Sequence, residues 1–112
     1  QDMDLELSFE GAAAAGVSLG SGVIIPLDDS VDMIQVARRL TRFFAHESCG
    51  QCVPCRLGTV RMDEQIRSTA PDWDVVRDLD RVMTDASICG LGQTAASALR
   101  SMMELGLLGG RP

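Results

Sequence analysis

The residues of this chain best suited to chemistry are its four cysteines, and they are unevenly placed. Cys49, Cys52 and Cys55 fall within seven consecutive residues, with Gly50 and Pro54 shaping the turn between them, while Cys89 stands far along the chain. Thiolates this close repel one another unless they are oxidised or neutralised by a metal. Disulfides are disfavoured, because no signal peptide points to an oxidising compartment and pairing any two of the three leaves a crowded third. A Cys-x2-Cys redox pair accounts for neither Cys55 nor Cys89, and no βαβ pattern surrounds it. Zinc held by four cysteines usually takes two separated Cys-x2-Cys knuckles, whereas the split here is three plus one. A cubane [4Fe–4S] cluster suits that split better, with a short loop meeting three iron corners and a distant cysteine closing the fourth. On spacing alone, a structural zinc-binding interaction module using all four cysteines stays open as an alternative, as do unliganded redox cysteines.

Other side chains near the cysteines have both a functional and a plain reading. Arg56 and the N-terminus of a helix starting near Pro54 put positive charge beside Cys55, which favours an anionic ligand; Arg56 also reads as an ordinary solvated helix residue. Gly90 and Gly92 can let backbone N–H groups approach cluster sulfurs, although glycine in a loop needs no such reason. His46, three residues before Cys49, reads as a helix C-terminal histidine rather than a ligand. Arg38, Arg39 and Arg42 could dock an acidic partner, or simply form a solvated helix face. Trp73, Met102 and Met103 are core by default. Asp63-Glu64 and the Asp78, Asp80 pair show no arrangement suited to acid–base work, and no catalytic residue is identified.

The cysteines must be positioned by helices. Asp29 or Ser30 can cap a helix with apolar positions Met33, Val36, Ala37, Leu40, Phe43 and Phe44. Pro54 suits the first turn of a second, with Leu57, Val60 and Ile66 inward and Gly58 weakening its start. Residues 68–71 form a loop. A third helix puts Trp73, Val76, Leu79, Val82 and Met83 on one face. Thr94 can cap a fourth, running through Ala95, Ala98, Leu99, Met102 and Leu105 until Gly106 ends it. The first 29 residues read differently: Leu5, Leu7 and Phe9 alternate with polar residues, and residues 23–27 form a short apolar run, so two strands are expected, the second limited by Pro26. The predicted architecture is mainly α, a four-helix bundle over residues 30–112 preceded by a short β segment over 1–29.

Composition bounds the rest. The 112 residues suit one domain, and 46% hydrophobic content argues against disorder. A net charge of −6 excludes a phosphate-neutralising surface as the leading idea, so no nucleic-acid partner is expected. All ten basic residues are arginine. No apolar run approaches the ~20 residues that span a bilayer, so no membrane insertion is expected and the chain reads as cytoplasmic. Its start without Met reads as a processed chain or an excised fragment.

At the residues 43–56, Phe-Phe-Ala-His-Glu-Ser-Cys-Gly-Gln-Cys-Val-Pro-Cys-Arg, the sequence closely resembles the cluster-binding loop of the NADH-oxidising flavoprotein subunits of respiratory complex I. That family also includes diaphorase-type subunits of NAD-reducing hydrogenases and NAD-dependent formate dehydrogenases. Residues 87–94, Ser-Ile-Cys-Gly-Leu-Gly-Gln-Thr, are similar to the family's fourth-cysteine segment, and residues 19–25 resemble the end of its ubiquitin-like (SLBB) domain. The resemblance implies that Cys49, Cys52, Cys55 and Cys89 ligate one [4Fe–4S] cluster. It further implies that this cluster takes electrons from an upstream FMN reduced by NADH and passes them to clusters in partner subunits. The FMN and NAD(H) sites would lie in an upstream domain of the same subunit, since Gly20-Ser21-Gly22 is too short to cradle a dinucleotide. Membrane association would then be peripheral, through partner subunits. The short stretch between Cys55 and Cys89, and the Gly-Leu-Gly-Gln-Thr after Cys89, look closer to the hydrogenase and formate dehydrogenase relatives than to complex I.

Overall fold

Two aspartates start the principal helices. In a computed structural model describing residues 4–20 and 22–108, Asp32 accepts a hydrogen bond from Ile34 N–H at 2.9 Å and opens helix α2, Met33–Glu47. Asp29 and Ser30, the expected caps, lie in a separate turn in which the Asp28 carboxylate accepts from the Ser30 N–H and hydroxyl. Asp72 accepts from the N–H groups of both Asp74 and Val75 and opens α4, Trp73–Ala86. Such caps satisfy N–H groups that the helix itself leaves free. Between them α3, Val53–Arg67, begins with Pro54 in its first turn, as its missing N–H allows.

Chain contacts divide the protein into two units, Gln1–Val31 and Asp32–Pro112. In the second, α2 packs on α3, α3 on α4, and the short helices α5, Gly90–Thr94, and α6, Ser97–Glu104, close the group. The core is aliphatic, built on Ala37, Met62, Ile66, Val76, Met83, Ala95, Ala96, Leu99, Met102 and Leu108, with Trp73, Leu79 and Phe44 partly buried against it. This mainly helical unit is compatible with the predicted four-helix bundle, its fourth member divided in two.

The division corrects one expectation. Thr94 does not cap a helix: its hydroxyl donates back to Gly90 O at 2.7 Å and closes α5 instead. The chain turns at Ala95 and Ala96 before α6 begins. Gly106 does end α6 as expected, with φ +68° and two stacked hydrogen bonds, Gly106 N–H to Met103 O and Leu107 N–H to Met102 O.

The inward face of α3 is a second correction. Ile66 is buried as expected, but Leu57 and Val60 are exposed, and Cys55, Gly58, Thr59 and Met62 turn inward in their place. Size decides this face. A Cβ on Gly58 would lie 2.5 Å from Met83 Cγ, so the glycine is what lets α4 come so close. Thr59 is tolerated beside it because its hydroxyl donates to Cys55 O at 2.8 Å. Phe43 and Val82 are likewise exposed rather than core, Phe43 meeting Phe44 edge-on.

In the first unit no strand forms among the described residues, contrary to the expected β segment. Ser8 caps a short helix α1, Phe9–Ala14, accepting from Gly11 N–H at 3.0 Å, so the alternation over residues 4–10 breaks at its centre. Ala12 is buried, yet Leu7, Phe9, Val23, Ile24 and Ile25 stay exposed. Two short segments cannot stabilise a sheet by themselves, since a strand needs paired neighbours and a covered face.

The corrected face of α3 predicts that Ile66→Ala, at a fully buried site, costs about 2–5 kcal/mol of stability, whereas Val60→Ala costs under about 0.5 kcal/mol. Urea denaturation of both variants measures the contrast, and equal losses would contradict the assignment.

Candidate metal centre

The three-cysteine turn is made by the end of one helix and the start of the next. α2 stops at Glu47, with Ser48 in extended conformation, and Gly50 takes φ +74°, a left-handed value that glycine adopts without strain. Cys52 then occupies the N-cap position of α3 and uses no side-chain cap bond. Its carbonyl accepts from Arg56 N–H at 2.9 Å, and the Arg56 guanidinium reaches back to Gly50 O at 3.3 Å. Arg56 thus braces the turn with its own charge. Cys55, one turn into α3, is buried, Cys52 is half-buried and Cys49 is exposed.

Cys89 holds the equivalent position at α5: it is the N-cap residue, and its side chain is also not spent on a cap. The backbone just before it bears on Cys52. The Ile88 N–H is the largest of the influences holding the Cys52 thiol below its usual pKa. The N–H groups of Cys55 and of Cys52 itself act in the same direction, against the opposing effect of burial. Such donors suit a sulfur that must carry negative charge.

Gly92 lets these two segments close on each other. A Cβ there would collide with Ser87 Oγ and stand 2.6 Å from Ser87 Cβ and 2.9 Å from Cys55 Cβ. Ser87 is buried, and its Oγ finds no full hydrogen bond among the described residues, although it faces Cys52 and weakly favours the thiolate. A buried hydroxyl left so costs about 1–3 kcal/mol, which an acceptor at the site would recover. The Ser48 hydroxyl lies 3.3 Å from Cys55 Sγ. Gln93 donates from its side chain to Ser87 O at 3.0 Å, and Thr84 donates to Gln93 O at 3.3 Å, tying α5 to α4.

Among the described residues, no three His, Cys, Asp or Glu side chains converge on a point that would hold a single metal ion. A cubane takes each thiolate at a different iron, so its ligands stand further apart than those of one ion. The donor chemistry here fits such a group: thiols with N–H donors aimed at one of them, a spare buried hydroxyl, and a glycine where a side chain would intrude. His46 is exposed and pairs with Glu47 at 3.1 Å, apart from this set. Sequence reasoning singles out the cysteines, Arg56 and Gly92 but misses Ser48 and Ser87. Each immediately precedes a cysteine or stands two residues before one, the only signal that could have found them.

The family described as NADH-ubiquinone oxidoreductase-F iron-sulfur binding region matches residues 35–105. Curated relatives include the HndC subunit of the NADP-reducing hydrogenase of Solidesulfovibrio fructosivorans, 33% identical over 93% of this chain and 22% of the relative. The F chain of the NADH-quinone oxidoreductase of Mycobacterium bovis is 36% identical over 93% of this chain and 25% of the relative. Its counterpart in Streptomyces coelicolor is 34% identical over 93% of this chain and 24% of its own length. The chain therefore spans about a quarter of the length of the relatives it matches.

Because N–H donors hold the Cys52 thiol below its ordinary range, its thiolate should appear at lower pH in the folded metal-free protein than in the same protein unfolded in urea. Iodoacetamide labelling of the Cys52 peptide as a function of pH reads this directly. Coincident profiles for the two states would contradict it.

Proposed function

We propose, because the chain belongs to the family of NADH-ubiquinone oxidoreductase-F iron-sulfur binding regions, that Cys49, Cys52, Cys55 and Cys89 hold one [4Fe–4S] cluster. The observation that supports the assignment of Cys89 is the close approach at Gly92, where a Cβ would stand 2.9 Å from Cys55 Cβ, so that the fourth cysteine's helix α5 lies against the first turn of α3. A cluster of this kind, when bound, supplies one-electron chemistry. The protein's own part is to make the pocket hospitable to a net negative group. The N–H groups of Ile88, Cys55 and Cys52 favour negative charge on the Cys52 sulfur, Arg56 adds a positive charge at the same turn, and Ser87 keeps a hydroxyl in reserve.

In the whole subunit this domain would serve as an electron-transfer module. It would lie between an upstream FMN that NADH reduces and iron–sulfur clusters of partner subunits, in an NAD(H)-dependent oxidoreductase. The relatives' names support this reading, being subunits of NADH-quinone oxidoreductases and of an NADP-reducing hydrogenase. The two kinds match at similar identity, so the module is common to both rather than a mark of one. Residues 1–29 would be the end of an SLBB-like ubiquitin-fold domain and 30–112 the cluster domain. No helix among the described residues is long and apolar enough to cross a membrane, in keeping with a cytoplasmic module held at a membrane only through partners.

The EPR spectrum of the anaerobically reconstituted, dithionite-reduced chain tests the ligand set. Wild type should show one reduced cubane, and Cys89→Ala should lose or degrade it. An intact wild-type signal in Cys89→Ala would overturn the fourth ligand. The chain alone should not turn over NADH with an artificial acceptor, and sustained turnover would refute the placement of the flavin and nucleotide sites upstream.

A further inference from the structure

On the α2–α3 face lies a concentration of positive charge that the cysteine site does not use. Gln35, Arg38, Arg39, Arg42, Asp63 and Arg67 line one cleft of about 430 Å³. Four guanidiniums there meet a single carboxylate, a local excess of three positive charges on a chain whose net charge is −6. That carboxylate is already engaged: Asp63 accepts from the Thr41 hydroxyl at 3.0 Å and from Arg67 at 3.5 Å. Four other arginines are neutralised locally, Arg61 by Glu64, Arg77 by Asp74, Arg81 by Asp85 and Arg100 by Asp80. Arg38, Arg39 and Arg42 have no ion-pair partner among the described residues. Arg38 is positioned by its Nε, which donates to Ile66 O at 3.3 Å, near the end of α3.

We propose that this arginine cleft docks a short acidic segment of a partner polypeptide, its carboxylates paired by Arg38, Arg39, Arg42 and Arg67. The lining argues for carboxylates over a nucleotide or phosphate. Every lining residue sits in a helix, where its backbone N–H is already hydrogen-bonded, so no free N–H nest is offered to a phosphate. No aromatic side chain lines the cleft to stack a base. Planar guanidinium forks pair carboxylates two oxygens at a time, and Arg38 and Arg42 stand one helical turn apart, about 6 Å along α2. The overall negative field repels long uniform polyanions, which leaves a short acidic stretch within a larger protein surface as the matching occupant. The inference rests on the reading of this chain as a module that works among partner subunits, and deepens it by naming one docking face and its chemistry.

Titration of the reconstituted chain with fluorescein-labelled hexaglutamate at low salt tests the cleft, with hexaglutamine and inorganic pyrophosphate as comparison probes. The expected result is saturable hexaglutamate binding, at least tenfold weaker in Arg39→Gln/Arg42→Gln, and no saturable hexaglutamine binding. Absence of saturable hexaglutamate binding, or equal affinity in the double variant, would overturn the proposal. Pyrophosphate binding tighter than hexaglutamate and lost in the same variant would also overturn it, in favour of a phosphate site. Iron content and reduced-state EPR are read on the same samples. A chain that loads its cluster but ignores the peptide overturns the docking face alone, and one that binds the peptide without loading iron overturns the cluster assignment alone.

Discussion

The close approach of α5 to the first turn of α3 is the constraint on which the rest depends. Cys89 follows Cys55 by two helices and two loops, and only a folded bundle can return it. Two features mark the return: Gly92, which leaves room for Ser87 and the Cys55 Cβ, and the Ile88 N–H, which favours negative charge on the Cys52 sulfur. The packing of α3 against α4 through Gly58 and Met83 sets the frame from which α5 departs. Small residues at both contacts do what large apolar ones could not, because close-packed interiors leave no slack for an extra methyl group.

Electrostatics follow from that frame. Helix starts at Cys52 and Cys89 leave N–H groups without side-chain caps, and the cysteines sit where those groups are free. The formal charge of −6 does not include bound cofactor; four thiolates on an oxidised cubane would add a net of about −2, from the ligand chemistry of such clusters. Arg56 would answer part of this at the turn itself, while the arginines of α2 line a cleft with α3.

The site is more legible in the sequence than the fold around it. Cysteine spacing, Pro54 at a helix start, Gly106 at a helix end and the inward Val76, Met83, Leu99 and Met102 all follow from residue type and period. Four things do not. Periodicity counts Leu57 and Val60 as core because it weighs hydrophobicity, whereas the face of α3 is chosen by which residues let α4 approach. Alternation over residues 4–10 suggests a strand, but Ser8 can satisfy a helix start locally and no neighbouring strand competes for the backbone. Thr94 looks like a helix cap, yet its hydroxyl also fits the carbonyl one turn back, and Gly90 offers that carbonyl. Ser87 is invisible for another reason: a serine's lack of a partner can be seen only once its neighbours are in place.

The central claim, that four cysteines brought together by this bundle hold a cubane, is tested most directly by metal and acid-labile sulfide analysis of the purified, anaerobically reconstituted chain. About four iron and about four sulfide per chain are expected, with negligible zinc, the composition of a [4Fe–4S] cluster. Stoichiometric zinc without sulfide under those conditions would contradict it.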